Sequence, residues 1–154
     1  MKAVLQRVKY ASVSVGGEVI GECREGLLIL LGVAEGDTEE DARLLCTKIL
    51  KLRIFCDDNG KMNLSLLDMG GDLLIISQFT LLADYRHGNR PDFLASAKPS
   101  EAKRLYEYFI SLAKESIGHV GTGSFGAKMQ ISLLNDGPVT IVIDSKLLGK
   151  GKRQ

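Results

Sequence analysis

Two stretches of this sequence concentrate groups able to handle a carbonyl. SQFTL, residues 77–81, follows DLLII without a break. The apolar run reads as a buried strand, yet it passes straight into Ser77, Gln78 and Thr80, with Phe79 between them. Burying an unpaired amide or hydroxyl costs about 1–3 kcal/mol, so three such groups at the end of a core strand need a reason. NDGPVT, residues 135–140, joins the turn formers Asn135, Asp136, Gly137 and Pro138. A strand end with polar side chains and exposed backbone N–H groups could stabilise an oxyanion. A Gly-Pro pair, able to take a cis bond at modest cost, could set rigid carbonyls beside it. Each stretch also has a purely structural reading: a strand end whose polar groups satisfy neighbouring backbone, and a tight hairpin turn. For either stretch alone, that reading is the stronger.

Other chemical patterns fail on context. GTGSFG, residues 121–126, fits GxGxxG, but that fingerprint needs a strand before it and a helix after it. Here a helix is expected before and a strand after. Ala127 follows Gly126 where a Walker A loop needs lysine. His87 and His119 are the only histidines and have no ligand partner at useful spacing, so no metal site and no cofactor are expected. Both read as solvated loop histidines. Ser77, His87 and Asp84 are the residue types of a hydrolytic triad, but nothing in their spacing supports one.

The elements that must position these groups fit within one domain. A chain of 154 residues can bury roughly 70% of its unfolded surface. Its 45% hydrophobic and 25% charged content is ordinary for a globular protein. The net charge of +1 excludes a global field for nucleic acid or membrane and leaves room for a few local phosphate contacts. Cys23, Cys46 and Cys56 are odd in number and lack CxxC spacing, which points to reduced thiols and a cytoplasmic protein. MKAVLQRVKY carries charges inside its apolar stretch and is no signal peptide, and no apolar run approaches ~18 residues.

KAVLQRV and ASVSV read as strands, with Gly16-Gly17 turning into EVIGE. GLLILLGV, residues 26–33, is a strand apolar on both faces. Asp37 or Thr38 is placed to cap a helix, with Ala42, Leu45, Cys46, Ile49 and Leu52 as its buried stripe. A short strand and an Asp58-Asn59-Gly60 turn precede the strand that carries SQFTL. After a polar loop, Ser100 is expected to cap a second helix built on Ala102, Leu105, Tyr106, Phe109, Leu112 and Ala113 and ending at Gly118. KMQISLL and PVTIVID are expected to form a hairpin around Asn135-Asp136-Gly137, followed by a frayed basic tail.

QRV (6–8), ASVSV, GLLILLGV, KMNLSL, SQFTL and NDGPVT, in this order, closely resemble the D-aminoacyl-tRNA deacylases, once called D-Tyr-tRNA deacylases. The pair SQFTL and NDGPVT is the specific part. The resemblance implies an α/β fold: a single compact domain in a layered β/β/α arrangement of mixed, partly barrel-like sheets with two main helices. It would cover residues 1–145, with a basic tail at 146–154 to which no function is carried over. It implies a homodimer that hydrolyses the ester between a D-amino acid and the terminal ribose of aminoacyl-tRNA, without a metal. Ser77, Gln78, Phe79 and Thr80 would line the pocket. Gly137-Pro138, with a cis bond, would enter the partner's active site and refuse L residues, and Arg7 would brace it. Catalysis would rest on backbone amides near Gln78 and Phe79 and on the substrate's own ribose hydroxyl.

Selection by exclusion asks nothing of a side chain, so glycine should be accepted with the D-amino acids. Phe125 could stack on the terminal adenine or simply anchor its glycine-rich loop. Arg86 and Arg90 could meet acceptor-end phosphates. Thr80 has no base near it in sequence and is expected to position rather than attack. Two other functions fit the residues: an esterase or amidase with a Ser77 or Thr80 nucleophile, and a non-enzymatic dimer that binds RNA ends.

Overall fold

The computed structural model describes residues 1–149. It is built around one long strand, β1 (Lys2–Val15), whose length lets three others pair with it. A turn at Gly16 and Gly17, both with positive φ, returns the chain as β2 (Glu18–Cys23), antiparallel to β1. β3 (Gly26–Gly32) continues in the same register along the same edge of β1, antiparallel to it, which leaves the opposite edge for the last strand. Helix α1 (Glu39–Lys51) follows, then a small hairpin of β4 (Phe55–Cys56) and β5 (Met62–Leu64), and a single-turn helix α2 (Leu66–Met69). β6 (Asp72–Ser77) runs parallel to β3 and ends in a 3-10 turn at Phe79–Leu82. Helix α3 (Pro99–Lys114), β7 (Val120–Thr122), parallel to β6, and β8 (Gln130–Asp144) complete the chain.

Strands β1–β3 and β6–β8 curl into a nearly closed barrel. β2 and β7 approach so closely that a Cβ on Gly21 would collide with the Thr122 carbonyl, and one on Gly121 with that of Glu22. His119 Nε2 donates to Glu22 O at 2.7 Å across this seam, so this histidine ties strands together. β3 is covered on both sides, as its unbroken apolar run requires. Leu27, Ile29 and Leu31 face α1 and α3, while Leu28 joins Val8, Val13, Leu74 and Ile76 inside the barrel.

Several local expectations change. KAVLQRV and ASVSV are one continuous strand. Thr38 is the N-cap of α1, its N–H bonded to the Asp41 carboxylate at 2.9 Å. Asp37 is instead buried against the Met1 ammonium at 2.7 Å. Leu52 falls at the end of α1, and Leu50 takes its place in the core. The first position of α3 is Pro99, not a residue capped by Ser100, because the fixed φ of proline suits a helix start and its missing N–H would go unused there. That helix ends before Gly118. GTGSFG begins inside the short strand β7, and among the described residues a strand and no helix comes after it, so the nucleotide-binding geometry is missing. The tail begins in order rather than frayed: Ser145 is buried, bonded to the Met1 ammonium and to Asp41. Residues 150–154 of the expected tail lie outside the described residues.

The largest change is in β8. Both halves of the expected hairpin pair with β1, Gln130–Asn135 against Val8–Ser14 and Thr140–Asp144 against Lys2–Gln6. NDGPVT is therefore a wide bulge in one strand, because β1 is long enough to take both halves. Its extra residues project opposite Arg7.

Candidate active site

β6 ends at Ser77, level with Leu31 of β3, and the backbone then tightens into the 3-10 turn. Gly32 permits that turn: a Cβ there would sit 2.9 Å from Gln78 O and 2.7 Å from Leu82. The Gln78 N–H is already committed, donating to Leu31 O at 2.8 Å. This corrects the expectation that it faces substrate. The Phe79 and Thr80 N–H groups open the turn and have no acceptor among the described residues. The Gln78 side-chain amide donates to Thr80 Oγ1. Among the described residues, no basic side chain bonds to Ser77 or Thr80. Asp84, the acid of the formal triad, is taken by Arg86, whose guanidinium and N–H hold the carboxyl down at about pKa 2.

Phe79 is 58% exposed despite packing edge-on against Phe93, with ring centroids 5.0 Å apart. Ser96 Oγ donates to Phe79 O at 3.3 Å, which fastens the returning arm of the polar loop to the site. On the other side, the buried Tyr106 hydroxyl donates to Ile75 O at 2.7 Å. Burial pushes this phenol up to about pKa 12, against an opposing hydrogen bond from the Gly123 N–H, so the group stays neutral. Tyr106 was legible only as core. The signal was its phenol on a buried stripe where phenylalanine would pack as well, since a buried hydroxyl needs a partner. Phe125 is half-buried with its ring 5.9 Å from that of Tyr106, which favours its anchoring role. Arg90 is exposed and makes no ion pair among the described residues.

Gly137-Pro138 is exposed at the bulge of β8, and its peptide bond is cis. The buried Arg7 guanidinium ties down the neck of the bulge, with Nε donating to Asp136 O at 3.0 Å and Nη1 to Ile54 O at 2.7 Å. A Cβ on Gly137 would lie 2.9 Å from Arg7 Nη2, so only glycine lets the bulge close over this side chain. Asn135 Nδ2 donates to Thr140 Oγ1 across the neck at 3.2 Å.

One chain does not bring the two stretches together. Ser77 is level with Leu31 and Ala3, whereas the bulge faces Arg7, four residues along β1 and on the far edge of that strand. At about 3.3 Å per residue and 4.8 Å per strand, they lie on the order of 20 Å apart. No group of three or more metal-binding side chains is found among the described residues.

Comparison with known proteins bears on this geometry. The profile of the D-Tyr-tRNA(Tyr) deacylase family matches residues 4–144. A D-aminoacyl-tRNA deacylase of Dehalococcoides mccartyi is 58% identical over 146 residues, 95% of each chain. One from Thermosipho melanesiensis is 58% identical over 147 residues, 95% of this chain and 98% of the other. Among solved structures, the c-Myc DNA Unwinding Element Binding Protein superposes with a TM-score of 0.89 at 40% identity, covering 94% of this chain and 98% of that one. Sequence and fold agree along nearly the whole chain, and the protein belongs to the D-Tyr-tRNA(Tyr) deacylase family.

Proposed function

We propose that the protein hydrolyses the ester joining a D-amino acid to the terminal ribose of tRNA, in a site completed by a second copy of the chain. The observation that carries this reading is the pair of unbonded amides of Phe79 and Thr80 at the end of a core strand. A substrate carbonyl docked there meets two donors as water adds and negative charge reaches its oxygen. One well-aimed donor contributes roughly 2.7–4 kcal/mol to such a transition state. Collapse breaks the ester C–O bond, and the proton given up by water ends on the departing ribose oxygen, relayed by the neighbouring ribose hydroxyl. An activated ester needs no side-chain nucleophile for this.

The second copy is supported by the distance between the two stretches and by exposed apolar surface. Val142 is 74% exposed on β8, and Leu134 and Tyr10 are also open. A partner packed along β8 would carry its Gly137-Pro138 towards the Phe79 and Thr80 amides. A thousandfold preference for D over L residues needs about 4 kcal/mol. Overpacking a deformable pocket costs typically 1–3 kcal/mol. A proline-stiffened backbone wall suits the task better than soft side chains. Arg86 and Arg90 would meet the acceptor end, and Phe125 would offer only its exposed edge to the terminal adenine. Such a substrate implies a cytoplasmic setting.

The test is ester loss from D-Ala-, Gly- and L-Ala-tRNA on one preparation. We expect D-Ala and glycine to be hydrolysed and L-Ala refused. Glycine grouping with L-Ala would replace the steric wall with positive recognition of D side chains, and no turnover of any ester would remove the hydrolase reading.

A further inference from the structure

A second surface bears on how the tRNA is held. A groove of about 580 Å³ runs along the outer side of α1, floored by Leu44, Leu52 and Leu148 and edged by Lys48, Lys51 and Arg53. Glu40 is the one acidic residue in its lining, and Arg43 is paired with it at 3.0 Å. Lys48, Lys51 and Arg53 make no ion pair among the described residues, whereas Arg43, Arg86 and Arg104 all do. Arg53 Nε donates only to the Asn63 carbonyl, at 2.9 Å. Three cations without an ion pair among the described residues thus share one groove in a chain whose net charge is +1, with Asp68 near Arg53 the one carboxylate that feels them. The macrodipole explains a basic last turn of α1, and so Lys48 and Lys51. It does not explain Arg53, beyond the helix end, or the groove the three share.

Position decides what the groove could serve. α1 starts beside the end of β3, near its own chain's Ser77, and its 13 residues carry Lys51 about 20 Å away. There the chain meets the bulge, because one Arg7 guanidinium holds both Ile54 O and Asp136 O. The Lys51–Arg53 end of the groove therefore lies towards the bulge that carries Gly137-Pro138, while its Glu40–Arg43 end lies towards its own Ser77.

We propose that Lys48, Lys51 and Arg53 of one protomer hold backbone phosphates of the tRNA whose ester is hydrolysed in the partner's site. This rests on the reading above, in which Gly137-Pro138 enters that partner's site. A flexible lysine acts as a point charge that suits phosphate contacts without base specificity. The apolar floor takes the lysine stems, leaving the ammonium groups at the rim.

The experiment compares D-Tyr-tRNA with 3′-O-D-tyrosyl-adenosine, which has the same ester and no phosphate. Lys48→Glu/Lys51→Glu should lower kcat/KM on the tRNA at least tenfold, mostly through KM, and leave the adenosine ester unchanged. Each lost phosphate contact should also make the log–log salt dependence shallower by roughly 0.7–0.9. Lys48→Gln/Lys51→Gln should show the same pattern more weakly, and Lys48→Arg/Lys51→Arg should retain wild-type values. Unchanged kcat/KM and salt slope on the tRNA, or equal losses on both substrates, would overturn the proposal.

Mixed dimers fix the geometry. One subunit carries Thr80→Trp to block its site, so a single working site remains. Charge reversal should slow that site when placed on the blocked subunit and not when placed on the working one. The opposite result would overturn the assignment across the dimer. Wild-type protein inert on both substrates would instead remove the deacylase reading itself.

Discussion

At the scale of single residues, the question is which groups at the end of β6 do chemistry and which hold others in place. Thr80 Oγ1 accepts from the Gln78 side chain and meets no base among the described residues, so its hydroxyl is oriented but not activated. Thr80→Ala should keep kcat on D-Tyr-tRNA within about tenfold, and a fluorophosphonate probe should leave the protein unlabelled. A covalent nucleophile would behave differently, because its removal costs several orders of magnitude. Labelling at Ser77 or Thr80 would restore the nucleophile mechanism. Polar residues in a core strand made this site visible in the sequence. Which amide stays free was not visible, because the Gln78 N–H is spent on a β3 carbonyl far away in sequence.

At the scale of elements, the bulge of β8 is held at its neck by Arg7. Arg7→Ala would leave the Ile54 and Asp136 carbonyls unpaired, and hydrogen bonds from a charged group contribute about 1.5–3 kcal/mol each. We expect urea denaturation to show a loss of about 2–4 kcal/mol. We also expect the ratio of D-Tyr-tRNA to L-Tyr-tRNA hydrolysis to narrow, because the wall can then retreat. Arg7→Lys should behave alike, since one ammonium cannot keep the forked geometry. A variant that is destabilised yet retains full D/L discrimination would show that Arg7 braces the fold alone. The turn-forming residues of NDGPVT were plain, but hairpin and bulge use the same residue types. Only the length of β1 separates the two.

At the scale of the molecule, stability should decline on the alkaline side. Burial pushes the Cys23 and Cys46 thiols up to about 11, from ordinary values of 9.0. It also pushes the Tyr106 phenol up to about 12, from 10.0. The unfolded chain therefore releases these protons at lower pH than the folded one and binds fewer of them above pH 9. Stability falls with pH wherever the unfolded state is the poorer proton binder. It should be intact below pH 9 and decline as pH rises towards 11 and 12. Urea midpoints measured from pH 8 to 12 test this, and Tyr106→Phe should flatten the part above pH 10. A midpoint constant up to pH 11 would mean that these groups open to solvent in the native state.

By itself the sequence determined whatever depends on neighbours along the chain. The Gly16-Gly17 turn, the apolar run of β3, the helical stripes of α1 and α3 and the polar end of β6 all follow from local periodicity and backbone preference. The motif pair SQFTL and NDGPVT also sufficed to place the family. Tertiary structure alone decided which edges and charges meet across long separations. It laid both halves of β8 on one strand, paired the Met1 ammonium with Asp37, and bonded Tyr106 to the strand that ends in the site. It also set the two motifs at different ends of the same sheet. Strand pairing and burial depend on which distant segments are brought together, and local sequence does not encode that choice.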